Sequence, residues 1–122
     1  MTMILNEKNY VDQAEQVILS LYRKNKKFVL TTSQIRKILS LTSALFDEAR
    51  LKPFDQLQNK LAYLRVQIVY QVGRKNEVRD FVEKSQLLQA LKEVTDTKSL
   101  LLFCRYMEAL VAYFKYYGGE EN

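Results

Sequence analysis

Apolar residues recur along this chain at spacings of three and four almost without interruption, and no run alternates with period two for long enough to specify a sheet. Five helical segments follow from that pattern. The first covers about residues 8–24, with Tyr10, Val11, Ala14, Val17, Ile18 and Leu21 on one face and Asp12, Glu15, Gln16 and Arg23 on the other. A basic connector at 23–27 leads into Phe28, Val29 and Leu30, which read as an extended docking segment. Thr31, Thr32 or Ser33 then offers a side-chain oxygen to cap the second helix. That helix, about 33–50, turns Ile35, Ile38, Leu39, Thr42, Leu45, Phe46 and Ala49 inward. Its residues Arg36, Ser40, Ser43, Asp47 and Arg50 follow at alternating spacings of 4 and 3 along one outward stripe.

Pro53 cannot continue a helix interior and marks the break before a third helix at about 54–72. That helix is apolar nearly all round and is expected at the centre of the molecule. Gly73 is expected to end it by taking a left-handed backbone. A fourth helix, about 77–94, places Val78, Phe81, Val82, Ser85, Leu88 and Leu91 inward, and Thr95, Asp96 and Thr97 form the next cap region. The last helix, about 98–117, is apolar on more than one face, so it is either wrapped on two sides or partly reserved for another chain. Gly118 and Gly119 end it, and residues 120–122 are expected to fray. The expected fold class is all-α, a compact five-helix bundle forming a single domain over residues 1–122.

Composition narrows the function more than the fold. Hydrophobic residues make up 48% of the 122 positions and charged ones 27%, with three Gly and one Pro, so the chain carries enough apolar material for one core and none of the signatures of disorder. Cys104 has no intrachain partner and lies in an apolar helical pattern, as a small buried hydrophobe in a reducing compartment does. Polar residues follow closely on the short apolar start of the chain, and no stretch reaches the ~18 apolar residues of a membrane span. A soluble cytoplasmic protein with no membrane partner is expected.

Catalytic chemistry is poorly supplied. The chain has no His and one Cys, so neither a nucleophilic triad nor a zinc site can be assembled from the usual groups. The adjacent acids Asp47–Glu48 and Glu120–Glu121 point in different directions on a helix or lie in a tail, and no Gly-rich loop is present to cradle phosphates. No catalytic residue, metal or cofactor is expected.

Charge points to a polyanion instead. Between residues 23 and 75 lie twelve Lys or Arg against three acids, a local excess of nine on a chain whose net charge is +5. Arg36, Lys37, Arg50, Lys52, Lys60, Arg65, Arg74 and Lys75 are the candidate cations, with Gln34, Ser40 and Ser43 as neutral donors. Contacts of this kind position a nucleic-acid strand without reading its sequence. Lys60, Tyr63, Gln67, Tyr70 and Arg74 share one helix face, and the two tyrosines are expected to pack their rings inward with the hydroxyls at the rim. A competing reading makes the chain a helical protein-interaction module whose basic face is incidental, with Tyr113, Tyr116 and Tyr117 on the aromatic last helix as its contact sites.

Three segments resemble the small subunit of type III-A CRISPR effector (Csm) complexes. They are residues 31–37 (TTSQIRK), the stretch from Leu61-Ala62-Tyr63-Leu64 to Gly73-Arg74, and residues 103–119 (FCRYMEALVAYFKYYGG), where a Glu-Ala pair precedes an aromatic-rich helix end and a double glycine. The resemblance covers most of the chain. Where that family often carries a basic residue or His late in the last helix, this chain has Phe114. The resemblance implies a non-catalytic subunit that stacks with copies of itself into an inner filament, opposite the backbone subunits that hold guide RNA and beside a large subunit. Target RNA pairs with the guide between the two filaments, base pairing selects the sequence, and the protein senses backbone and shape. It implies an RNA-facing role for Gln34, Arg36, Lys37 and Arg74, whereas Arg50, Lys52, Lys60, Arg65 and Lys75 join them on charge and helix placement alone.

Overall fold

The last helix organises the molecule. In a computed structural model that describes residues 4–121, α6 (Thr97–Tyr116) is packed along most of its length by α1 (Tyr10–Ser20) on one side and α2 (Thr32–Ala49) on another. Leu100, Phe103, Cys104, Tyr106, Met107, Leu110 and Phe114 are all buried on it, which a single amphipathic stripe does not require and a helix wrapped on two faces does. Its N-terminus is capped by Asp96, whose side chain accepts from the Ser99 backbone N–H at 2.8 Å. The Ser99 donors hold the Asp96 carboxyl below the usual carboxylate range.

Helix α2 begins the same way. Thr31 Oγ1 accepts from the Gln34 backbone N–H at 3.2 Å, and the Gln34 side chain accepts from the Thr31 N–H at 2.9 Å, a reciprocal box that satisfies two donors at the helix start. After Pro53, one 3₁₀ turn (Phe54–Leu57) leads into α3 (Gln58–Arg74), and α4 (Asn76–Ser85) and α5 (Leu87–Lys92) complete the order. The all-α bundle expected from the periodicity is present, with one small antiparallel sheet added among the described residues.

Five features depart from expectation. The connector at 23–27 is a hairpin of β1 (Arg23–Lys24) and β2 (Lys27–Phe28), closed by Asn25 and Lys26 at φ 53° and 66°, the left-handed pair that a two-residue turn with matching twist demands. Gly73 is not the left-handed terminator of α3; it lies inside the helix, which ends because Lys75 is extended. Helix α3 is not central. It packs on α4 and, over shorter stretches, on α2 and α5, burying only Leu64 and Ile68 and leaving Val66 and Val69 exposed. The single fourth helix is two, broken at Gln86 (φ 53°). Finally, residues 118–121 do not fray. Gly118 turns at φ 101°, the Thr32 N–H donates to the Glu120 carbonyl at 2.7 Å, and Ser33 Oγ donates to the Glu121 carboxylate. Gly119 lies against the Phe114 ring so closely that a Cβ there would sit 2.7 Å from its Cζ, which is why the backbone can pass at that point only without a side chain. Asn122 lies outside the described residues.

The break at Gln86 has a partner in α6. Ending α4 at Ser85 frees that residue's carbonyl from the helix ladder, and the hydroxyl of Tyr106, 1% exposed, donates to it at 2.9 Å. A buried hydroxyl and a buried carbonyl thereby satisfy each other, offsetting the left-handed residue. Burial pushes the Tyr106 hydroxyl up to about 12. The Cys104 thiol is pushed up to about 12 by burial, and the Tyr117 hydroxyl, which donates to Glu15 at 2.6 Å, rises to about 12 because of that bond.

Two outcomes follow for stability. Tyr106→Phe leaves the Ser85 carbonyl buried without a donor and should cost about 1–3 kcal/mol in urea unfolding. Because the native-state values of these three groups lie above their unfolded ones, the unfolded chain releases protons first. The stability they contribute is intact below the unfolded values, near pH 9–10, and is lost as pH rises toward about 12. A pH series of unfolding curves for wild type and Tyr106→Phe should show a shallower alkaline decline in the variant.

Candidate nucleic-acid interface

Helices α2 and α3 lie side by side with a groove between them. At one end Glu48 of α2 pairs with Lys60 of α3, and at the other Gln34 of α2 donates to Glu77 at 3.1 Å, just beyond the end of α3. The two helices therefore run antiparallel, and residues along them face each other in reverse order. From the Glu48–Lys60 end to its middle the groove encloses about 370 Å³, lined further by Ser40, Leu41 and Ala44 from α2 and by Tyr63 and Gln67 from α3. Lys37 continues the α2 wall by helical spacing (37, 41, 44, 48), and Tyr70 and Arg74 continue the α3 wall (60, 63, 67, 70, 74).

This geometry divides the nine candidate residues. Lys60 lines the α2–α3 groove, Gln34 closes its far end through Glu77, helical spacing puts Lys37 and Arg74 on the continuation of its walls, and Lys75 follows at the α3–α4 junction. Arg36 lies on the stripe of α2 with Ser43 and Asp47, one turn before Ser40 at the groove's rim, and Arg65 lies on the far flank of α3. Arg50, the C-cap of α2, lines a separate concavity between α2 and α6 with Phe46, Leu101, Arg105 and Glu108. The candidates do not form one patch.

Pairing separates them further. Lys52 and Lys60 both bind Glu48, the former at 3.1 Å, and these bonds hold the Glu48 carboxyl below its ordinary range, Lys60 contributing most. Among the described residues no acid partners Arg36, Lys37, Arg50, Arg65, Arg74 or Lys75. Helix α3 itself contains no Asp or Glu, so nothing on it can neutralise its cations. The scarcity of local acids seen in the sequence survives folding.

Two tyrosines stand differently from expectation. Tyr63 and Tyr70 are 61% and 64% exposed, with their rings outside the core, because α3 is peripheral rather than central. The Arg74 guanidinium carbon lies 5.8 Å from the centre of the Tyr70 ring. Arg105 belongs among the outward cations and was missed; its signal is the recurrence of Lys98, Leu101, Arg105 and Glu108 at spacings of 3, 4 and 3. Its guanidinium carbon sits 5.3 Å from the centre of the half-buried Phe46 ring, and it pairs with Glu108 at 3.5 Å. Lys24, Lys26 and Lys27 cluster at the exposed hairpin, while Arg23 lies over Phe28.

Nothing in this arrangement resembles a metal centre: among the described residues no three of His, Cys, Asp and Glu come together. No helix of the described residues is long and apolar enough to cross a membrane.

A sequence profile described as Csm2 Type III-A matches residues 5–120. The chain belongs to that family. The "CRISPR system Cms protein Csm2" of Streptococcus thermophilus is 57% identical over 97% of this chain and 98% of its own length. The protein of the same name from Mycobacterium tuberculosis (strain CDC 1551 / Oshkosh) is 50% identical over 98% of this chain and 100% of its own. The one from Enterococcus italicus is 35% identical over 72% and 68%. Membership makes the chain the small subunit of the type III-A CRISPR Csm complex and implies the other Csm subunits as its partners.

Among the described residues Glu48 is the one acid that pairs with cations beside the groove, so Glu48→Gln should free Lys52 and Lys60 for an external anion. Titration of single-stranded RNA in moderate salt should show tighter binding by the variant, about two- to fivefold for two exposed pairs.

Proposed function

We propose that this small subunit is a non-catalytic, cytoplasmic scaffold. It stacks with copies of itself as an inner filament and holds the backbone of target RNA, or of the guide–target duplex, without reading its sequence. The reading is supported by the α2–α3 groove, whose walls continue by helical spacing to Lys37 and Arg74, neither paired with an acid, and by an α3 free of acids, in a chain of the Csm2 family. Gln34 and Lys60 border the same groove, Lys75 stands at its end, and Arg36, Arg50, Lys52 and Arg65 add cations on the adjoining faces. Lysines and arginines placed this way neutralise phosphates, and base pairing with the guide supplies the specificity that such contacts lack.

A second role has its own observation. Tyr113, Tyr116 and Tyr117 cluster at the end of α6 with ring centres 4.9–6.4 Å apart, and Tyr116 is 76% exposed. An aromatic so placed suits a neighbouring subunit. The two roles are compatible, since they use different faces.

For three to five phosphates per copy, the log–log dependence of single-strand affinity on salt should have a slope of about −2 to −3.5. Lys37→Ala with Arg74→Ala should flatten it by about 1.4 with unchanged helix content, and a salt-independent wild type would contradict the reading. Tyr116→Ala should release a neighbouring Csm subunit from the purified complex while leaving that slope unchanged. Retention of every subunit at wild-type stoichiometry would remove the tyrosine cluster from the interface.

A further inference from the structure

The outward position of Tyr63 and Tyr70 gives the groove a capacity that backbone contact alone does not use. Tyr63 lines the groove near its Glu48–Lys60 end, and Tyr70, equally exposed, follows about two turns along the same stripe of α3 by helical spacing. Lys60 and Arg74 flank them at the two ends of the same stripe, and Lys37 continues the opposite wall. Seven residues of helix separate the rings by about 10.5 Å, the length of about three stacked nucleotides at ~3.4 Å each. Lys60 and Arg74 are about 21 Å apart, the span of about six.

We infer that this stripe is a stacking track for unpaired RNA bases, with Tyr63 and Tyr70 taking base faces and Lys37, Lys60 and Arg74 the flanking phosphates. The inference rests on the proposed RNA-holding role and deepens it. Two observations select a nucleic acid over an apolar protein surface as the occupant. The two rings are flanked by Lys60 and Arg74 on a helix that holds no acid, a charge pattern that suits a polyanion once Lys60 exchanges Glu48 for a phosphate. The Arg74 guanidinium also already lies against the Tyr70 ring, so a base stacking there meets an aromatic face and a cation together. Stacking tolerates any base, because every base has a π-face, so the track adds affinity without adding sequence preference. It also distinguishes exposed bases from those hidden inside a duplex.

The test uses the full-length chain, an unstructured RNA of about twelve nucleotides, an abasic ribose-phosphate oligomer of equal length and an RNA duplex. Tyr63→Ala with Tyr70→Ala should weaken binding of the single strand by about 30-fold, equivalent to about 2 kcal/mol. Affinity for the abasic oligomer and the duplex should hold, and so should the salt slope. Tyr63→Phe with Tyr70→Phe should stay within about threefold of wild type, since the rings remain. Both sites are exposed, so circular dichroism and the thermal midpoint should be unchanged in all variants. Equal affinity of the alanine pair and wild type for the single strand overturns the inference. An equal loss on the abasic oligomer overturns it too, by showing that bases are not what the rings hold. If RNA affinity persists but the alanine pair drops a subunit from the purified complex, the face docks protein and the stacking track is excluded. A wild-type chain with no measurable RNA affinity defeats the RNA-holding role itself, whereas salt-dependent binding indifferent to the tyrosines defeats only the track.

Discussion

Burial of α6 on two sides is the constraint from which the remaining architecture follows. A helix with seven buried residues spread over more than one face needs two helices against it, and α1 and α2 supply them. The consequences extend to both ends of the chain. Phe28 of the hairpin rests on Phe114, with ring centres 5.0 Å apart, and Gly119 passes beneath the same ring, so the turn after α6 carries the tail back to the first residues of α2. Once α1, α2 and α6 have formed this centre, α3 has only its Leu64–Ile68 side left to bury. Its opposite face must stay outside.

That displacement of α3 joins fold to function. A central α3 would have buried its tyrosines and scattered its cations to the rim. A peripheral α3 presents Lys60, Tyr63, Tyr70 and Arg74 beside the basic residues of α2. Helical spacing then decides which cations share the groove: Lys37 lies on the wall with Leu41, Ala44 and Glu48, whereas its neighbour Arg36 points elsewhere. The proposed RNA-holding surface is therefore narrower than the basic segment that encodes it. Arg50 lines a second concavity, between α2 and α6, with Arg105 and its partner Glu108.

Features with local causes were legible in the amino-acid pattern. Thr31 and Asp96 cap helices because their short side chains reach the backbone N–H three residues on, and Pro53 interrupts because it lacks a donor. The helical class and most of the core followed from periodicity, and family membership was legible in the Glu-Ala, aromatic and double-glycine order at 108–119. Features with tertiary causes were not. Gly73 is compatible with a terminator or a helix interior, and only packing chooses between them. The interruption at Gln86 is tied to a hydroxyl 20 residues away in sequence, on Tyr106. The apolar count on α3 exceeds that of a typical surface helix, which pointed to the centre, yet α6 holds that place because its larger Phe, Tyr and Met side chains bury more area. The same misplacement turned Tyr63 and Tyr70 inward.

Amine-reactive labelling of the intact ribonucleoprotein, with and without target RNA, tests the account most directly. Lys37 and Lys75 stand in or beside the α2–α3 groove, whereas Lys92 and Lys115 are exposed on other elements. RNA should shield Lys37 and Lys75 and leave Lys92 and Lys115 reactive. Uniform labelling of all four, or shielding confined to Lys92 and Lys115, would contradict it.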